Sequence, residues 1–104
     1  MNDTLNRLPT HPGEVLKEEL ETRMITQKEF SRNTGIPYTM LNEILNAKRP
    51  ITSDVALVVE AALGISPELL VNMQTRYNMA QSRMTPKVIK NLEYVRRMCA
   101  SWLL

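Results

Sequence analysis

The chain is predicted to fold as an all-α bundle of five short helices with an additional helix at its C-terminus, and three observations predict it. Apolar residues recur at three- and four-residue spacings along most of its length. Helix punctuation stands between those stripes. Thr26 and Glu29 spell a T-x-x-E capping box, Ser66-Pro67-Glu68 is a cap followed by a first-turn proline and acid, and Gly35 and Gly64 sit where helices stop. Composition is the third: with one Trp, one Phe and three Tyr against seven Met, the core must be aliphatic and methionine-rich, which favours helix packing over a sheet. At 104 residues and 43% hydrophobic, the chain holds enough apolar matter for one small core and not for two.

Residues 1–9 show no periodicity and are expected to form a flexible N-terminal arm. The first helix should run from Pro12 to about Arg23, capped by His11 or Thr10, with Val15, Leu16, Leu20 and Met24 facing inward. Thr26 opens the second, and Ile25 and Phe30 are spaced as a hydrophobic staple across its start. Gly35 ends it, Ile36 can plug the corner, and Pro37 presets the first turn of the third helix. After the loop Arg49-Pro50-Ile51-Thr52, Thr52 or Ser53 caps a fourth helix that packs through Val55, Ala56, Leu57, Val59, Ala62 and Leu63. The fifth carries Leu69, Leu70, Met73 and Tyr77.

Met40, Leu41, Ile44 and Leu45 of the third helix fall on one side, while Tyr38, Thr39, Asn42, Glu43 and Asn46 gather on the other. That polar side consists mostly of short, neutral hydrogen-bonding groups suited to base edges, and Lys48-Arg49 follow where phosphates would lie. The pattern is that of a helix-turn-helix reader of duplex DNA. Tyr38, Thr39, Asn42 and Glu43 are the expected base contacts, with a salt bridge to a neighbouring lysine as the plain alternative for Glu43. Gln27, Lys28, Lys48 and Arg49 are the expected phosphate contacts. Net charge is only +2, too mild to argue nucleic-acid binding alone, but it is unevenly spread. Residues 26–50 carry four basic and two acidic side chains and residues 79–104 five and one, whereas residues 1–25 and 51–78 are net acidic.

From Gln27 to Ile44 the chain resembles the helix-turn-helix of the Xre/Cro repressor family. Phe30, Ile36, Leu41 and Ile44 stand at its apolar positions, Ser31 at its small-residue position and Gly35 at its turn glycine; Thr34 and Pro37 depart from the pattern. The stretch His11-Pro12-Gly13-Glu14-Val15-Leu16, with Leu45-Asn46-Ala47-Lys48-Arg49-Pro50-Ile51-Thr52 downstream, is similar to HigA-type antitoxins, the antidote halves of addiction modules. The resemblance covers about residues 8 to 78. It implies a five-helix lambda-repressor-like DNA-binding domain over residues 10–78 that represses its own operon and neutralises a HigB-type mRNA endonuclease. Its expected partners are therefore double-stranded operator DNA, a cognate toxin and, for two recognition helices one DNA turn apart, a second copy of the chain. A stand-alone repressor and an interaction module that has left DNA are the competing readings.

Residues 79–104 form the additional helix. Thr85-Pro86 is a cap and first-turn pair, and Val88, Leu92, Val95, Cys99 and Trp102 then follow an a/d seam widened by Ile89, Met98 and Leu103. Packing on its own bundle, pairing with a second copy and docking on a toxin are all open to it. Leu70, Met73, Tyr77, Val88, Leu92, Val95 and Trp102 are the expected dimer or toxin contacts. No enzymatic role is expected: Glu18, Glu19 and Glu21 read as a helix's wet face, no Gly-rich phosphate loop exists, and His11 lacks companions for a metal site or a catalytic triad. No cofactor or metal is implied. The single Cys99, the lack of a signal-peptide order at the N-terminus and the absence of a long apolar run lead to a cytoplasmic, membrane-free expectation.

Overall fold

A computed structural model describes residues 8–102 of the chain. Among these residues there are six helices and no strand: α1 (Pro12–Thr22), α2 (Gln27–Thr34), α3 (Tyr38–Leu45), α4 (Ser53–Leu63), α5 (Pro67–Met84) and α6 (Pro86–Trp102). Most of the arm expected over residues 1–9 lies outside the described residues, as does Leu103; Leu8 and Pro9 are half-buried.

Four of the six helix starts are capped by a side chain. His11 caps α1 by accepting the Gly13 N–H on Nδ1 at 2.9 Å, while the Glu14 carboxylate accepts the His11 N–H at 3.0 Å, so imidazole stands where a hydroxyl is usual in a capping box. Thr26, Thr52 and Ser66 cap α2, α4 and α5 through their hydroxyls. Helix ends come in two forms. Gly35 and Gly64 close α2 and α4 in left-handed conformations, each N–H donating to the carbonyl four residues back. α1 and α3 instead close with paired bonds around a left-handed residue that is not glycine. Around Met24 (φ 58°), its N–H donates to the Glu21 carbonyl and that of Ile25 to Leu20. Around Ala47 (φ 59°), its N–H donates to Ile44 and that of Lys48 to Glu43.

The core joins Leu16 and Leu20 of α1, Phe30 of α2, Ile36, the α3 residues Leu41, Ile44 and Leu45, then Ile51, the α4 residues Ala56, Val59 and Leu63, and Leu70 of α5. Three links fasten this frame around α3. Gly13 lies so near the C-terminal turn of α3 that a Cβ there would stand 1.7 Å from the Ile44 carbonyl oxygen. The His11 ring meets Tyr77 of α5 edge-on, with centroids 4.8 Å apart. Buried Gln74 of α5 accepts the Ile51 N–H at 2.8 Å and donates to Asn78 at 2.9 Å, fixing the loop that follows α3. A fourth link lies further off, where Arg23 donates to the Leu63 carbonyl at 3.0 Å and ties the end of α1 to the end of α4.

Several expectations need correction. Met24 is 88% exposed rather than inward, because α1 stops at Thr22 and the left-handed turn swings it out of register. Leu57 and Ala62 are exposed, since α4 is apolar on more than one face and buries the side bearing Ala56, Val59 and Leu63. Leu70, expected as a dimer or toxin contact, is fully buried in the core and cannot serve as one. Tyr77, expected in the same role, keeps part of its surface exposed, as Met73 and Val88 do, while its ring meets His11. The boundary expected between residues 78 and 79 falls inside α5, which continues to Met84. Thr85 does separate α5 from α6, but its hydroxyl turns back to donate to the Gln81 carbonyl.

α6 follows α5 directly after Thr85 and buries no residue. The described chain measures 57 × 32 × 23 Å with a radius of gyration of 17.8 Å, against about 13 Å for a compact chain of this length. Packing back onto its own bundle is therefore not the arrangement that α6 adopts. Among the described residues no helix is long and apolar enough to cross a membrane.

Candidate nucleic-acid interface

α2 and α3 meet at a turn held by side chains on both sides of Gly35 (φ 79°). The Ser31 hydroxyl donates to the Ile36 carbonyl at 2.6 Å, and the Thr34 hydroxyl donates to Phe30 at 2.6 Å while accepting the Ile36 N–H at 3.3 Å. Thr34 thus does by hydrogen bonding what an aliphatic residue there would do by packing. Pro37 is the N-cap of α3 and offers no side-chain bond, so the angle of α3 is set by the proline backbone and by the buried Ile36.

With Leu41, Ile44 and Leu45 buried, the opposite side of α3 is forced outward. Tyr38 is 51% exposed and Thr39 and Asn46 are exposed, while Asn42 and Glu43 are half-buried. Asn42 donates to Gln27 Oε1 at 2.9 Å, which joins an expected base reader to an expected phosphate contact. One Asn42 amide hydrogen and its carbonyl oxygen remain for a base edge, and the Gln27 amide nitrogen remains for a phosphate. Glu43 also has a partner, but it is Arg49 and not a lysine: Nη2 lies 2.8 Å and Nε 2.9 Å from one carboxylate oxygen. Lys28 and Lys48 are exposed and enter no ion pair among the described residues.

At the start of α2 the Thr26 backbone N–H, and then its hydroxyl, donate to the Glu29 carboxylate and hold it below its ordinary pKa. That carboxylate stays anionic beside the helix N-terminus, so of the first-turn residues Gln27 and Lys28 are the ones free to meet a phosphate. The structure therefore brings Tyr38, Thr39, Asn42 and Glu43 onto one outward face, with Gln27 bonded to it and Arg49 folded over it. Sequence reasoning missed Gln74 and the close approach of Gly13, which position the face from behind. The signal for Gln74 was its place one turn after Leu70 on the inward side of α5.

A buried scaffold that presents the polar face of a short helix after a glycine turn defines a helix-turn-helix protein. The chain matches the helix-turn-helix family over residues 16–70. It is 33% identical to antitoxin HigA-1 of Vibrio cholerae, over 74% of this chain and 73% of that protein. Its fold is similar to an addiction module antidote protein of the HigA family from Coxiella burnetii, with 32% identity, a TM-score of 0.70 and coverage of 85% and 95% of the two chains. It is also similar to a Pseudomonas aeruginosa protein solved in complex with its operator DNA, at 27% identity, a TM-score of 0.68 and coverage of 80% and 91%. The chain belongs to the Xre-type helix-turn-helix family and, within it, to the HigA antitoxins.

Proposed function

We propose that this protein binds its own operator as a homodimer, represses its operon, and neutralises a cognate HigB-type mRNA endonuclease by forming a complex with it. The observation that carries the DNA reading is the outward polar face of α3, whose Tyr38 and Thr39 stand exposed in its first turn with Asn42 one turn later. First turns of a recognition helix are the part that reaches base edges. Asn can take adenine bidentately, the Thr methyl can meet thymine, and Lys48 with Lys28 and Gln27 supply phosphate anchors. The operator complex of the P. aeruginosa relative supports this reading.

Two copies are needed to place two such helices about 34 Å apart. The exposed seam of α6, with Leu92, Val95 and Trp102, and half-buried Val88 and Met73 are the surfaces left for a second copy or a toxin. In gel shifts with the chain's own upstream DNA, Asn42→Ala should lose ~1–3 kcal/mol at one base position and relax preference there. Lys48→Ala should weaken all sequences alike and reduce the salt slope by about one. Identical behaviour of the two variants across operator variants would refute the division into readers and anchors. Co-expression with the adjacent gene followed by pull-down tests the toxin partner.

A further inference from the structure

Resting on the DNA-binding reading above, we propose that Glu43 is a brake on phosphate attraction. It keeps the Arg49 guanidinium neutralised, so that the pair meets DNA with no net charge and affinity has to come from base edges and the remaining anchors. Glu43 is thereby a positioning residue rather than a base reader, and Arg49 is not a counted phosphate contact.

Backbone geometry makes the pair. Left-handed Ala47 reverses the chain after α3, the Lys48 N–H closes on the Glu43 carbonyl at 2.8 Å, and the next residue, Arg49, is carried back over the Glu43 side chain. Both Nε and Nη2 then donate to the same oxygen, Oε1. Glu43 is the one acidic residue of α3 and lies on its polar side. Alone there, a carboxylate would face the phosphates that wall a DNA groove and would be repelled by them. Opposed by Arg49, it presents a dipole whose field fades well within a Debye length of about 8–10 Å. The two side chains are 46% and 38% exposed, and exposed pairs of this kind contribute little to folding. What the pair changes is the field: neutralising Glu43 would raise the net charge of residues 26–50 from the +2 of four basic and two acidic side chains to +3. Neighbouring Lys48, with no carboxylate partner among the described residues, keeps its full charge for a phosphate.

The test compares full-length wild type with Glu43→Gln, Arg49→Gln and the double variant, all at exposed or half-exposed positions. Each is titrated by fluorescence anisotropy onto the chain's own upstream DNA and onto a scrambled duplex of the same length, between 50 and 200 mM salt. For each bound protomer, Glu43→Gln should steepen the slope of log affinity against log salt by about 0.9, so that its advantage over wild type grows about 3.5-fold from the high-salt to the low-salt end. Arg49→Gln leaves Glu43 unopposed and should flatten the slope by the same amount, and the double variant should return to wild type. Both duplexes should show the pattern, because phosphates carry no sequence.

An unchanged slope in Glu43→Gln would overturn the proposal, since Arg49 would then be contacting phosphate on its own account. So would a loss of affinity confined to the operator, which would make Glu43 a base reader. Wild type binding neither duplex would refute the DNA-binding reading itself and this inference with it, an outcome distinct from the other two.

Discussion

At the scale of single residues, Gly13 and His11 show how the start of α1 governs α3. Gly13 is needed for space and not for an unusual backbone: the obstacle to a Cβ is the Ile44 carbonyl oxygen, which is main chain and cannot swing aside. Gly13→Ala should therefore cost more than about 2 kcal/mol in urea unfolding, beyond what a flexible neighbour would impose, and should weaken operator binding by pushing α3 out of place. Stability equal to wild type would disprove the close approach. His11 is 1% exposed and its Nδ1 must stay unprotonated to accept the Gly13 N–H. Burial lowers its pKa below 6.5, against smaller upward pulls from the Glu14 carboxylate and the Arg49 backbone. The unfolded chain therefore binds this proton more readily than the folded one. Stability is fully present above pH 6.5 and is lost as pH falls from there through the lower folded-state value, after which this contribution is constant. His11→Asn keeps a side-chain acceptor but cannot titrate, so its unfolding free energy should fall less than that of wild type between pH 7 and 5. Parallel curves for the two would assign the acid sensitivity elsewhere.

At the scale of elements, four helix starts were legible in the sequence because a side chain does the capping, at His11, Thr26, Thr52 and Ser66, and those of α3 and α6 because a proline stands at the junction. Ends were legible only where glycine marks them. Met24 and Ala47 take the same left-handed position without a glycine to announce it, which is why α1 appeared longer and Met24 appeared inward. The two kinds of end make opposite predictions. At Gly35 (φ 79°) nothing lies within 4 Å of a would-be Cβ, so Gly35→Ala should lose about 1 kcal/mol through backbone strain alone. At Met24 the strain is already present and the side chain is 88% exposed, so Met24→Gly should raise stability by about 0.5–1 kcal/mol once the entropy of the new glycine is subtracted. Chemical denaturation of both variants reads the two signs, and a destabilised Met24→Gly would show that the turn is not strained. In the candidate site the outward polar face was legible from the two-sided pattern of α3. The bonds from Gln27 to Asn42 and from Glu43 to Arg49 were not, because they depend on how the two turns orient chain segments and no periodicity encodes that.

At the scale of the whole molecule, the chain divides into a bundle that keeps α3 in place and a projecting helix with no buried residue. Its seam was legible from spacing alone, but what covers it was not, since the same apolar stripe serves an internal, a homotypic or a foreign contact. The dimension of 57 Å removes the internal arrangement. Along α6, Leu92 is 38%, Val95 42% and Trp102 67% exposed, on a helix about 25 Å long that would be only marginally stable in isolation. A helix this apolar and this unsupported gains most from a partner, and under the proposed operator binding that partner is a second copy of the protein. Leu92→Gln with Val95→Gln puts good helix formers at both positions while making the seam polar. Because neither residue is in the core, unfolding of the bundle at low protein concentration should change by no more than about 0.5 kcal/mol. Sedimentation at higher concentration should shift from dimer to monomer, and operator affinity should fall with it while the sequence preference survives. If bundle stability instead dropped by several times that amount, α6 would be packing on its own chain in solution. If dimerisation persisted, the two-fold contact would have to be sought on the exposed parts of α4 and α5, around Leu57 and Leu69.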